Sequence, residues 1–238
     1  MNDSEKIIKL LADRSYFNVI VTFFELIAII VGLVCIRKDK IGILFLSYLF
    51  FDLFILFFDF YIELLPSVER KQSNHFIMFT NALVSLIELL VYYHFFLKII
   101  QNKVVARFMR IFRLFFTAVV VFFIATEFGF VINRYDYIVF TMETMEFVFL
   151  LLPCLAYFYE ILQGDSSIYL FQRPSFWIVT GIFFFALISI PYYLIIQLLR
   201  DTHYEYREEL ALIFYYLPIA VNFIFLTKAF MLKKALTI

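Results

Sequence analysis

Five carboxylic acids stand inside apolar stretches of the chain: Glu25, Asp52 and Glu88 near the middle of theirs, Glu143 and Glu146 in the outer half of another. An ionisable side chain at membrane depth costs about 2.5–3.5 kcal/mol on insertion scales, so it normally faces a bundle interior and marks a site. No Lys or Arg falls at comparable depth in the sequence to neutralise them. Several carboxylates in a low-dielectric interior cannot all stay ionised, so either some are protonated or something positive joins them. The chemistry this predicts is capture of a cation, a protonated amine or a proton in an outward-facing acidic cavity. The competing reading is that protonated acids hydrogen-bond to Tyr, Ser, Thr and Asn on neighbouring helices and hold the bundle together.

Spacing groups these acids with other polar residues. Tyr48, Asp52, Asp59 and Glu63 fall on one stripe within about 60° at 100° per residue. Asn81, Ser85, Glu88 and Tyr92 form a second stripe. The pattern Asn18-x3-Thr22-x2-Glu25-Leu26 recurs as Asn81-x3-Ser85-x2-Glu88-Leu89, on helices expected to run in the same direction. A doubled helical hairpin of about 63 residues would explain this, with Glu143-x2-Glu146-Phe147 as a degenerate third copy. Chance similarity among apolar helices is the other explanation. Asn18, Thr22, Tyr48, Asp59, Asn81, Ser85 and Tyr92 are therefore the expected supporting polar groups.

Other chemistries find less support. A retinal protein needs a lysine near the middle of its last helix, and Lys228 lies about two turns too deep. A zinc hydrolase needs several clustered histidines, and His75, His94 and His203 are scattered. No Ser or Cys has a His at a suggestive spacing, and Gly-rich phosphate loops are absent. The sequence therefore predicts neither an enzyme nor a bound cofactor or metal. Cys35 and Cys154 sit in apolar stretches and read as small buried hydrophobes.

The elements that must position the acids follow from composition. Of 238 residues, 64% are hydrophobic and 22% aromatic, against 17% charged, with mean hydropathy +0.92. Soluble domains are about half apolar and a quarter charged, so the composition predicts a membrane protein and no nucleic-acid partner. A bilayer core about 30 Å thick needs about 20 apolar residues per helix. Seven such runs occur, from about Tyr16 to Ile36, Ile41 to Leu65, Phe76 to Ile100, Phe108 to Ile132, Tyr137 to Leu162, Ser175 to Leu199 and Leu210 to Met231. The expected fold is all-α, one integral membrane bundle of seven transmembrane helices joined by short polar connectors. The first 15 residues lack the short apolar core and cleavage site of a signal peptide. Asp3 to Ser15 read instead as a short interfacial helix.

Orientation follows the basic residues. One side of the seven-span arrangement carries 8 of the 20 Lys and Arg, the other 12, and most acidic loop residues lie on the less basic side. Basic loops are retained in the cytoplasm, so the N-terminus is expected outside and the C-terminus inside. Arg107, Arg110 and Arg113, at helical spacing, would then contact inner-leaflet headgroups or a cytoplasmic partner. Pro153, Pro191 and Pro218 lie within the last three spans, where a proline removes a backbone hydrogen bond and bends the helix.

Over Tyr137 to Leu199, the residues Glu143 and Glu146, Leu152-Pro153, Tyr157-Phe158-Tyr159-Glu160 and Arg173-Pro174-Ser175-Phe176-Trp177-Ile178-Val179-Thr180-Gly181 resemble uncharacterised bacterial seven-helix membrane proteins associated with sensor histidine kinases. The Pro-Ser-Phe-Trp-Ile opening is the most specific part. The resemblance implies sensing or partner regulation in a bacterial cytoplasmic membrane and carries over no ligand or catalytic residue. The third run ends His94-Phe95-Phe96-Leu97-Lys98, without the Asp/Glu-Arg-Tyr signature of animal receptors. With seven residues after Met231, such a sensor would signal through a separate protein. The leading expectation is thus a receptor-like sensor that binds a small cationic ligand or proton. A proton- or cation-coupled transporter comes second and a structural subunit third.

Overall fold

The computed structural model describes residues 3–36, 39–63, 67–127, 135–163, 170–199, 214 and 216–232. Among them lie seven helices and no strand: α1 (Asp3–Cys35), α2 (Lys40–Glu63), α3 (Ser67–Ile99), α4 (Lys103–Glu127), α5 (Tyr135–Gln163), α6 (Pro174–Leu199) and α7 (Leu217–Met231). In a low-dielectric surrounding, helices satisfy every backbone polar group within the segment. Four segments are long and apolar enough to cross a membrane: Lys40–Phe58, Ala82–Ile99, Thr144–Gln163 and Pro174–Ile195. Val19–Cys35 and Leu217–Met231 are shorter apolar helices. The protein thus has the helical, membrane-compatible character expected from its composition.

Some boundaries differ from the sequence reading. Asp3 to Ser15 form the first half of α1, continuous with its apolar half. No Gly or Pro interrupts α1 before Gly32, so the backbone has no local reason to break. Most of the stretch from Pro66 to His75, read as a connector, belongs to α3. Pro153 and Pro191 lie inside α5 and α6. Pro218 occupies the first turn of α7, where a missing N–H costs no helical hydrogen bond. Residues 210–213 of the last expected span lie outside the described residues.

Each helix packs on its sequence neighbours, and α1 also packs on α7, closing a ring. The α6–α7, α5–α6 and α1–α7 seams are the most extensive, and the α4–α5 seam is slight. Helix α3 reaches across to α5 as well. The Tyr93 hydroxyl donates to the Phe149 carbonyl at 3.5 Å, and Phe112 of α4 stacks on Phe149 at 3.7 Å. Inside the ring lies a continuous apolar core whose largest fully buried members include Phe45, Tyr93, Phe95, Phe96 and Phe230. The outside is apolar too, with Val34 66%, Phe54 65% and Phe122 70% exposed. Apolar faces of this extent are at home in lipid rather than in water.

Two details set the end of the bundle where α3 turns into α4. Glu160 of α5 accepts the backbone N–H of Gln101 at 3.0 Å through Oε2 and that of Asn102 at 2.8 Å through Oε1. Asn102 caps α4, its Oδ1 accepting from Val104 and Val105 at 2.9 and 3.3 Å. One carboxylate therefore fastens the α3–α4 turn to α5.

Candidate intramembrane site

A cavity of about 190 Å³ lies inside the ring, lined from five helices. Helix α2 contributes Tyr48, Asp52, Ile55 and Leu56, and α3 contributes Val84, Ser85 and Glu88. Helix α5 supplies Glu146 and Phe147, α6 Phe185 and Tyr193, and α7 Ile219, Asn222 and Phe223. The α2 and α3 contributions follow helical spacing, since residues three and four apart share a face. The lining contains three carboxyl groups and no Lys, Arg or His. Among the described residues, no group of three or more His, Cys, Asp and Glu side chains is gathered tightly enough to hold a metal ion. The three acids reach the cavity from three different helices, α2, α3 and α5.

A hydrogen-bonded bridge ties α3 to α7 at the cavity edge. The Asn222 amide donates through Nδ2 to the Tyr92 hydroxyl at 2.9 Å, and Tyr92 also bonds the Glu88 side chain. A phenol accepting from an amide still has its own proton to give, so the chain runs Asn222 to Tyr92 to Glu88. Gly181 of α6 makes room for this bridge. A Cβ there would stand 2.8 Å from Asn222 Oδ1 and 3.0 Å from Phe225 Cβ.

Beyond Tyr48 and Glu88 along α2 and α3, aromatic rings pack against one another. Phe45 lies 5.4 Å from Phe95 and 6.0 Å from Tyr92, and Phe95 lies 5.6 Å from Phe96, centroid to centroid. All four are buried. Rings flank the cavity on the α5–α6 side too: Phe147 stacks on Tyr193 at 5.5 Å and meets Phe185 edge-on at 5.0 Å.

Of the acids singled out by sequence, Asp52, Glu88 and Glu146 line this cavity, as do Tyr48 and Ser85. Glu25 does not line it. It is 1% exposed, lies within the electrostatic reach of Asp52, and its Oε1 has no hydrogen-bond partner among the described residues. Helices α1 and α3, which carry Glu25 and Glu88, both pack on α2. Thr22 is half-buried. The side chains of Asn18, Asp59, Asn81 and Glu143 lie outside the described residues. Arg107 and Arg110 are exposed on α4 and Arg113 is half-buried, all away from the cavity lining. Cys154 is buried with its thiol 3.8 Å from the Val179 carbonyl, and Cys35 is half-buried.

Asn222 and Tyr193 entered the cavity unannounced. Asn222 was legible as the lone amide in the last apolar run, but Tyr193 was one of 16 tyrosines among 35 phenylalanines. Residues of the Pro-Ser-Phe-Trp segment do packing work. Ser175 Oγ meets the Tyr157 hydroxyl at 2.8 Å, and Trp177 donates to the Phe171 carbonyl at 2.9 Å. The Trp177 ring stacks on Phe225 at 5.7 Å, with Lys228 Nζ 5.9 Å from its centroid.

No protein-family model, curated protein or solved structure matches the chain. What it does must be argued from the cavity.

Proposed function

We propose that this chain is a seven-span, receptor-like sensor of a bacterial cytoplasmic membrane, with the N-terminus outside, that binds a small organic cation and signals through a partner protein. The observation that carries this reading is the convergence of Asp52, Glu88 and Glu146 with aromatic rings on one cavity. Carboxylates and ring faces together favour a positive ligand. Acids reaching the cavity from three helices suit an ammonium group with an apolar body better than a bare metal ion. A volume of about 190 Å³ lies below the roughly 300–1,000 Å³ of drug-sized sites, so the ligand is small. Buried rings of α2 and α3, Phe45, Phe95 and Phe96, pack next to Tyr92, which favours a binding site over a through-passage, and hence sensing over transport.

Ligand binding would be felt beyond the cavity along two routes. A cation at Asp52 changes the electrostatic environment of Glu25, which belongs to α1. A cation at Glu88 competes with the Tyr92 hydroxyl and so loosens the α3–α7 bridge. Helices α1 and α7 pack on each other, so both routes meet at one seam. We assign the partner contact to the inner end of the bundle.

The test uses 2-phenylethylammonium as probe, with neutral 2-phenylethanol as control, on the purified protein. Saturating amine at about a hundred times Kd stabilises by about 2.7 kcal/mol, read as a rise in Tm, while the alcohol leaves Tm unchanged. Asp52→Asn and Glu88→Gln abolish the rise. Equal shifts with both probes, or a shift retained in both variants, overturn the reading. Proton- or cation-driven amine uptake into vesicles would make the protein a transporter instead.

A further inference from the structure

The outer face of α4 combines positive charge and exposed apolar surface in one place. Lys103, Arg107, Arg110 and Leu114 fall within a stripe about 60° wide at 100° per residue. All four are exposed. Beside them Val104 is 77% exposed, Ile111 62% and Phe115 60%. Helix α4 is held to α3 and only slightly to α5, so no neighbouring helix covers this face. Among the described residues no carboxylate pairs with these cations. The acid fastened to the α3–α4 turn, Glu160, already accepts two backbone N–H groups there.

The cations also extend from the start of α4 into its apolar part. The apolar α3 span ends at Ile99 and α4 starts at Lys103, so the basic start of α4 directly follows the end of an apolar span. Arg110 is about 10 Å along α4 from Lys103 at 1.5 Å per residue, and Arg113 about 15 Å. Phe112, between them, packs on Tyr93 at 5.7 Å, which fixes the register against α3. A bare guanidinium facing hydrocarbon is costly, and the cost falls when an anion is drawn in or the leaflet thins. Helical Cβ atoms tilt toward the N-terminus, so these side chains lean back toward the turn.

We propose that this face of α4 binds an anionic phospholipid, its phosphate held by Lys103, Arg107 and Arg110 and an acyl chain lying along Ile111, Leu114 and Phe115. The charge of the site selects the headgroup, and the apolar flank distinguishes a lipid from a soluble phosphate. Guanidinium groups suit this role because their planar fork matches phosphate oxygens. The inference is independent of the ligand in the cavity.

Spin-labelled phosphatidylglycerol and phosphatidylcholine compared on the full chain reconstituted in phosphatidylcholine bilayers give the relative association constant directly. The expected preference for phosphatidylglycerol is about fivefold, the equivalent of one basic residue at a membrane surface, and it falls at high salt. Arg107→Gln/Arg110→Gln brings the ratio to near one, Arg107→Lys/Arg110→Lys keeps most of it, and soluble glycerol phosphate leaves it unchanged. A ratio near one in the unmodified protein overturns the proposal, and that measurement decides even if the glutamine variant does not fold. So does a ratio that survives the glutamine substitutions, one abolished by glycerol phosphate, or a variant that loses only self-association.

Discussion

Asp52, Glu88 and Glu146 came to notice because a carboxyl group in an apolar run is costly, and cost is visible in a sequence without any fold. Their common cavity was not visible, because helix spacing fixes a face and not which helix that face meets. Glu25 shows the difference: it shares with Glu88 the spacing Asn-x3-Thr/Ser-x2-Glu-Leu, yet it lies within the electrostatic reach of Asp52 and off the cavity lining. Asn222 is the residue on which the bridge depends. A double-mutant cycle of Tyr92→Phe and Asn222→Ala should return a coupling of about 0.6–1.7 kcal/mol, the range of interhelical hydrogen bonds in a bilayer. A coupling near zero in a reversible unfolding assay would mean that the Nδ2 contact is geometric only. Because Tyr92 also bonds Glu88, Tyr92→Phe should in addition alter amine affinity, whereas Ser175→Ala, at the remote Tyr157 contact, should not.

Helices were legible from apolar runs, and their ends less so. Polar stretches such as Ser67 to His75 continue a helix when nothing breaks it, so the runs understate α1 and α3. Close packing is harder still to read, because a glycine states that space is needed without saying for what. Gly181 has its reason in Asn222 and Phe225. Gly181→Ala should push α6 from α7 and cost about 1–3 kcal/mol, the usual penalty of overpacking, measured as a lowered midpoint of unfolding in detergent. It should also weaken amine binding, since it displaces Asn222. At the α3–α4 turn, Glu160→Ala removes the acceptor for two backbone N–H groups. Water reaches that exposed turn, so the expected loss is about 1 kcal/mol, with Glu160→Gln milder because its carbonyl still accepts one bond. If Glu160→Ala leaves stability unchanged, the turn does not depend on that clasp.

Ring closure by α1 and α7 was beyond the reach of sequence, since antiparallel neighbours follow from short connectors but the meeting of first and last helices does not. It matters for the proposed signal, because both routes from the cavity end at that seam. Composition and basic-residue bias supply the remaining global expectation, that the C-terminus faces the cytoplasm. A reporter fused after Ile238 that fluoresces only in the cytoplasm should be bright, and a dark one would reverse the assigned orientation. The central claim is an acidic cavity, reached from outside, that prefers cations. Its most direct test is Ser85→Cys, in a background with Cys35→Ala and Cys154→Ala, labelled from the external side by membrane-impermeant thiol reagents of opposite charge. The account predicts that the cationic methanethiosulfonate reacts at least about tenfold faster than the anionic one, as an acidic cleft concentrates counter-ions, and that Asp52→Asn with Glu88→Gln removes the difference. Equal rates for the two reagents, or no reaction from outside, would contradict it.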